Sequence, residues 1–267
     1  MIHPTAIIHP SAQLGEGVSV GPFALIEGAA IIGDGCCIQA HAIIGAHVVM
    51  GKNNAIGYGA IIGGEPQDFS FKATTQSRVV IGDNNRIREY CTLHRGSRDG
   101  SDTTVGNDCF LMGSTHLAHD VHVGNHVIAA NNVVLGGHVA IGDRAFLGGN
   151  SAYHQFIRVG TLAICQGLSG QTKDVPPFTI SAGMNGIAGL NVIGMRRAGL
   201  DAAARADVKR AFTLLYRSGH NVRQALDLAQ DQPWTAHAQT FWEFVRSATK
   251  KGICGWIGGR KKADDLE

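Results

Sequence analysis

The sequence predicts a left-handed parallel β-helix of hexapeptide repeats followed by a C-terminal α-helical domain, and three observations carry that prediction. An aliphatic residue returns at every sixth position through Ile2, Ile8, Leu14, Val20, Ile26, Ile32, Ile38, Ile44, Met50, Ile56 and Ile62. Glycine often follows it, as in Leu14-Gly15, Val20-Gly21, Ile32-Gly33 and Ile44-Gly45. The repeat then gives way near Arg196 to helical periodicity. A helix repeats every 3.6 residues and a flat strand every two, so neither keeps a six-residue register over this length. A coil of short strands joined by regular turns does.

Three six-residue faces make a coil of eighteen residues, with the aliphatics pointing into a shared prism. Stacked coils rise by the sheet spacing, ~4.8 Å, so each backbone N–H finds a carbonyl on the next coil. The small residue after each aliphatic eases close backbone approach near a corner. Two interruptions are expected as loops thrown out of the prism, at about 63–79 and 94–104. Between them the period runs through Ile81, Ile87 and Leu93, and afterwards from Val105 to Leu147. The first loop holds Gln67, Asp68 and Lys72, the second Arg95 and Arg98. A regular solenoid has no packing reason for such excursions, whereas loops on a rigid scaffold commonly carry binding groups.

The pattern fades after Val159 and Cys165, and Pro176-Pro177 marks an irregular connection. Beyond it, Asp201 is a candidate N-cap for a helix with Val208, Phe212, Leu215 and Tyr216 on one stripe and Gly219 as its stop. A second helix is expected from Val222 to about Gln230, and a third carries Phe241, Phe244 and Val245. The expected division is therefore 1–193 for the β-helix and 194–267 for the helices. Helices packed on the last coil would cover its open strand edges.

No run of eighteen apolar residues is present, so no membrane span is expected, and no secretory leader is evident before the repeat begins at Ile2. The expected location is the cytoplasm. Six scattered cysteines form no disulfide or metal-site spacing and read as small core residues. A net charge of +2 does not suggest nucleic acid, although Lys250, Lys251, Arg260, Lys261 and Lys262 make the C-terminal end basic. An acidic partner could dock there, and so could plain solvent.

Thirteen histidines carry the chemistry, five of them between His116 and His138. At eighteen residues per coil, His119 and His138 fall on neighbouring coils and His154 one coil further, so a column of imidazoles is expected along one edge. No two histidines are five residues apart, which argues against the zinc spacing of γ-class carbonic anhydrases, and no metal is expected. Cys109 lacks a helix N-terminus to activate it. General-base catalysis fits better, because Asp120 directly follows His119 and can fix its tautomer.

Pro66-Gln67-Asp68, Arg86-Ile87-Arg88-Glu89, Leu93-His94-Arg95-Gly96, His116-Leu117-Ala118-His119-Asp120, Gly137-His138, His154-Gln155-Phe156 and Asp174-Val175-Pro176-Pro177 occur in order along the repeat. In these motifs the chain resembles the acyl-carrier-protein-dependent UDP-N-acetylglucosamine O-acyltransferases of lipid A biosynthesis, from end to end. The resemblance implies transfer of a 3-hydroxyacyl chain from acyl carrier protein to the sugar 3-hydroxyl, without a cofactor beyond the carrier's phosphopantetheine. It implies His119 as general base, Asp120 as its orienting group and the Gly137 N–H as oxyanion donor. His116, His138, His154 and Gln155 would hold the sugar nucleotide, with Gln67 and Asp68 at the sugar and Lys72 at the phosphates. Asn191, Arg196 and Arg197 would meet the nucleotide or the phosphopantetheine, Gly167 would set acyl length by leaving room, and the active sites would lie between subunits of a homotrimer.

The chain departs from the family at Asn191-Val192-Ile193-Gly194, where Ile193 replaces a usual glutamate, and at Ala198, where a third basic residue is usual. Such a change is compatible with a 3-amino UDP-sugar as acceptor. A non-enzymatic scaffold is the reading from another class. A related N-acyltransferase is expected to carry an additional N-terminal domain, whereas this repeat starts at Ile2.

Overall fold

The computed structural model describes residues 1–258, so Arg260, Lys261 and Lys262 lie outside the described residues. Among the described residues, the strands form three sheets of nine, eight and eleven members. We call these the first, second and third faces, in the order the chain meets them at Ile7–Ile8, Gln13–Leu14 and Ser19–Val20. Each strand pairs in parallel with the one a coil later, as in Ile7↔Leu25 and Leu25↔Ile43. The repeat aliphatics are the core: Ile26, Ile44, Ile62, Leu93 and Leu117 are each 0 % exposed. Burying a side chain of this size contributes roughly 1.5–3 kcal/mol, and the hexad supplies one per face per coil.

Both excursions are present and are shorter than the sequence suggests. Strands Ile61–Gly64 and Arg78–Ile81 flank the first, and Thr92–His94 and Asp102–Val105 the second. Arg95, 4 % exposed, latches the two together. Its guanidinium donates to the Thr75 carbonyl at 2.6 Å and stacks 4.8 Å from the Phe71 ring centroid. The Gln76 N–H donates to Asp99 at 2.7 Å, and the Ser77 hydroxyl to the Gly96 carbonyl at 2.5 Å.

The hexad fades because the last inward positions become polar. Buried Tyr153, Gln171 and Ser181 replace the aliphatics, and Gln171 Nε2 donates to Ser181 Oγ at 3.2 Å. Strand Thr179–Ala182 then reverses into Gly186–Leu190, and Gly255–Trp256 pairs beside it. Four helices follow: α1 (Val192–Arg197), α2 (Ala202–Tyr216), α3 (Val222–Gln230) and α4 (Ala236–Arg246). The first begins ahead of the expected start at 194, because Asn191 caps it. Asp201 caps α2 by accepting from the Ala204 N–H at 2.7 Å. Phe178 and Leu162 of the last coils pack with Met195, Phe212's neighbour Val208, Phe241 and Trp242 of the helices, closing the prism. No helix of the described residues is long and apolar enough to cross a membrane.

Candidate active site

One corner of the prism, between the first and second faces, collects the chemistry. Both excursions leave from it. His119 and Asp120 sit there between strands His116–Leu117 and His122–Val123, and Gly137 and His138 between Val134–Leu135 and Ala140–Ile141. His154 and Gln155 occupy the same corner one coil on, between Ala152–Tyr153 and Arg158–Val159. A cleft of about 540 Å³ runs along it, lined by Gln67, His119, Gly137, His154, Gln155 and Met184 among others.

His119 Nδ1 lies 2.8 Å from Asp120 Oδ2. Asp120 is 5 % exposed and is held from the other side by Ser97, whose N–H and hydroxyl donate to Oδ2 at 3.1 and 2.6 Å. Burial pushes the Asp120 carboxyl up, but hydrogen bonds from Ser97 and His119 outweigh it and hold it at about 2. An ionised carboxylate only accepts, so Nδ1 of His119 carries the hydrogen and Nε2 is left as a base. His119, Asp120 and His138 offer ligand-type atoms within 4.8 Å of one another, but Asp120 Oδ2 already serves Ser97 and His119. The carboxylate is thus engaged in orienting the His119 imidazole.

The His119 ring lies over Gly137. A Cβ at Gly137 would stand 2.6 Å from His119 Cε1 and 2.8 Å from Nε2, so glycine is required for the ring to keep its place. The Gly137 N–H has no hydrogen-bond partner among the described residues. It is a free donor beside the base.

The imidazole column is shorter than the spacing suggests. His138 meets His119 edge-on at 5.2 Å and stacks on Phe156 at 4.6 Å, so the third place in the column is Phe156. The register explains this, since eighteen residues carry His138 to Phe156 and Gly136 to His154. His154 therefore lines the cleft beside the column. Burial lowers the His138 pKa, with Asp120 opposing. Burial also lowers that of His116, whose Nδ1 contacts Thr92 Oγ1 at 2.8 Å. His116 stands behind cleft-lining Val134, its strand partner.

Asp68 is exposed beside Gln67. Hydrogen bonds from the Ser70 N–H and hydroxyl hold its carboxyl below the usual range, against a smaller opposing effect of burial. Lys72 is exposed on the same loop. Asn191 is engaged within the fold: Oδ1 accepts from the Gly194 N–H and Nδ2 donates to the Leu162 carbonyl, both at 2.8 Å. It thereby places α1, whose last turn presents Arg196 and Arg197 to solvent. Gly167 is exposed, and a Cβ there would meet nothing closer than the Gly149 carbonyl at 3.2 Å. Five of the six cysteines are buried in the core and Cys37 is half-buried, with burial pushing Cys91 and Cys109 up to about 11.

Reading the sequence for titratable groups passes over Ser97. A signal existed in the phase of the repeat, because the second excursion leaves from the corner that Asp120 occupies.

The family model described as UDP N-acetylglucosamine O-acyltransferase, domain 2, matches residues 174–254. A protein named acyl-[acyl-carrier-protein]–UDP-N-acetylglucosamine O-acyltransferase from Paraburkholderia xenovorans is 44% identical over 263 residues, covering 94% of this chain and 98% of the relative. Among solved structures, LpxA from Acinetobacter baumannii is similar with a TM-score of 0.90 at 38% identity, covering 94% of this chain and 98% of the other. The UDP-N-acetylglucosamine acyltransferase of Francisella novicida is similar with a TM-score of 0.91 at 34% identity, covering 97% and 95%.

Proposed function

The chain belongs to the family of acyl-[acyl-carrier-protein]–UDP-N-acetylglucosamine O-acyltransferases, and from that premise we propose how this site carries out the first acyl transfer of lipid A biosynthesis. The observation that carries the proposal is the His119 ring, tied at Nδ1 to an ionised Asp120 and lying over Gly137. His119 Nε2 takes the proton of the sugar 3-hydroxyl. The oxygen attacks the thioester carbonyl, and the Gly137 N–H donates to the oxygen that becomes negative. As the tetrahedral intermediate collapses, the carbon–sulfur bond breaks and His119 returns the proton to the departing thiolate. The base supplies a factor of order 10²–10⁴ and the donor one of order 10²–10³.

Gln67, Asp68, His138, His154 and Gln155 hold the sugar nucleotide, with His116 supporting the cleft wall and Lys72 at the phosphates. Arg196 and Arg197, positioned by Asn191, meet the nucleotide or the carrier's phosphopantetheine. The acyl chain runs past Gly167. Met184, 70 % exposed in the cleft lining, suits a second wall from another copy, in keeping with a homotrimer as the active unit. Six free thiols suit a reducing cytoplasm.

The test is acyl transfer from 3-hydroxyacyl carrier proteins of graded length to UDP-N-acetylglucosamine and its 3-amino analogue. Ester formed by the wild type and lost, by about 10³-fold, in His119→Ala supports the proposal. Amide product alone moves the acceptor to the amino sugar, a reading favoured by Ile193 in place of the usual carboxylate. Product from neither sinks the catalytic reading. In the same assay Gly167→Met should shift the preference toward shorter chains.

A further inference from the structure

His154 lines the cleft, but its ring nitrogen Nδ1 faces two groups that ask opposite things of it. Lys251 Nζ lies 2.7 Å away, and the carbonyl of Gln155 lies 3.1 Å away. An ammonium only donates and a carbonyl only accepts, so a neutral imidazole can satisfy one of them at Nδ1 and not both. With Lys251 in place, Nδ1 accepts and Nε2 carries the hydrogen. Without it, Nδ1–H would turn to the Gln155 carbonyl and Nε2 would become an acceptor.

Lys251 is 97 residues from His154 in sequence, and the fold fixes it there through Asp174, which is 0 % exposed. The Asp174 carboxylate accepts from the Thr249 N–H at 2.9 Å, ahead of Lys251. Its backbone N–H donates to the Gly252 carbonyl at 2.9 Å, and its carbonyl accepts from the Cys254 N–H at 2.8 Å, behind Lys251. The turn between these anchors closes with the Gly252 N–H on the Thr249 carbonyl at 2.8 Å, and Gly252 takes φ of +73°, which a glycine adopts freely. Arg158 braces the clamp by donating to Asp174 Oδ2 at 2.9 Å and to the Phe244 carbonyl of α4 at 3.0 Å. A lysine on a surface tail would wander, but this one has its backbone pinned on both sides.

We propose that Lys251 is a positioning residue for the transferase, holding His154 as the Nε2–H tautomer so that the ring presents a donor to the acceptor-rich part of the sugar nucleotide, its diphosphate or its uracil carbonyls. This rests on the reading of His154 as a nucleotide contact. A hydroxyl can adapt to either tautomer, whereas phosphate oxygens and carbonyls only accept, so the wrong tautomer leaves two acceptors facing each other.

The experiment uses the full chain with ¹⁵N-labelled histidine. Long-range ¹H–¹⁵N correlation reads the tautomer of His154, assigned by the signal missing from His154→Ala. Wild type should show hydrogen on Nε2, Lys251→Met should show it on Nδ1, and Lys251→Arg, another pure donor, should keep the wild-type pattern. In the acyl-transfer assay Lys251→Met should raise KM for UDP-N-acetylglucosamine by roughly tenfold, with kcat within about twofold and recovery in Lys251→Arg. An unchanged tautomer in Lys251→Met overturns the assignment, as does a flipped tautomer with unchanged KM. The underlying reading fails separately, if His154→Ala itself leaves KM for the nucleotide sugar untouched.

Discussion

The corner between the second and third faces and the corner between the first and second share a backbone and differ in what their side chains do. His126 and Arg144 on one, and Asp120 and His138 on the other, all take φ between 56° and 60°. The left-handed bend is thus a property of every coil and is not strain reserved for chemistry. On the second-to-third corner the polar side chains are consumed by the fold. Asn107 Oδ1 accepts from the Asp83 N–H at 2.7 Å, Asn125 Oδ1 from the Asn107 N–H at 2.9 Å, and Asp143 Oδ1 from the Asn125 N–H at 2.7 Å. On the first-to-second corner the imidazoles stand free of such a ladder, and those of His119 and His154 line a cleft. The ladder of one corner serves the stack alone, whereas on the other Asp120 joins the fold, through Ser97, to the imidazole of His119.

The sharpest way to break this comparison is to add one methyl group to each kind of corner. Gly137→Ala puts a Cβ 2.6 Å from the His119 ring, whereas Gly17→Ala, at the second-to-third corner, meets nothing closer than the Gly35 backbone nitrogen at 4.0 Å. Gly137→Ala should lower kcat by about 10²-fold or more by displacing base and donor together. Gly17→Ala should leave kcat where it is and lower Tm only slightly, since Gly17 takes φ of +71°. Equal losses in both would mean that the corners do not differ in function, and steady-state kinetics with thermal melts decides.

Asp120→Asn asks how far the reactive corner also supports the fold. With His119 no longer facing a carboxylate, kcat should fall by about 10²-fold. The wild-type carboxyl is held at about 2 against an ordinary 3.8, so its ionised form stabilises the fold by about 2 kcal/mol at neutral pH. Because the folded value is the depressed one, this contribution is complete above about pH 4 and is lost as pH falls through about 2. The gap in unfolding free energy between wild type and Asp120→Asn should therefore be flat from pH 7 to about 5 and close below about 4. A gap independent of pH down to 2 would assign the difference to packing.

The sequence shows most of the scaffold because each inward aliphatic reports its own environment, and the excursions show as breaks in that report. His119 and Asp120 were legible by adjacency. The third place in the imidazole column was not, since counting histidines ignores the register that sets Phe156 over His138. Ser97 and Lys251 act through contacts closed by the fold, across 23 and 97 residues; the phase of the repeat pointed to the first only indirectly and nothing pointed to the second. Asn191 shows the converse, a residue of polar type whose amide is engaged by Gly194 and Leu162. Polar identity is visible in a sequence, while whether the polar group remains free is decided by its neighbours in space.

The smallest effect tests the structural corner itself. Asn125 accepts from the Asn107 N–H at 2.9 Å and from Asn107 Nδ2 at 3.1 Å, while its own Nδ2 reaches Asp143 Oδ1 at 3.3 Å. Asn125→Ala removes a rung and leaves the Asn107 N–H to water, since that corner is exposed. The loss should be about 1 kcal/mol, at the modest end for a hydrogen bond, because solvent replaces part of it. Acyl transfer should be unchanged, since the cleft lies across another corner. Chemical denaturation should thus show a lower midpoint with the same m-value, and kinetics at 25 °C should match wild type. A fall in kcat would show that the ladder transmits to the reactive corner through the shared coil, and the separation of the two corners would not stand.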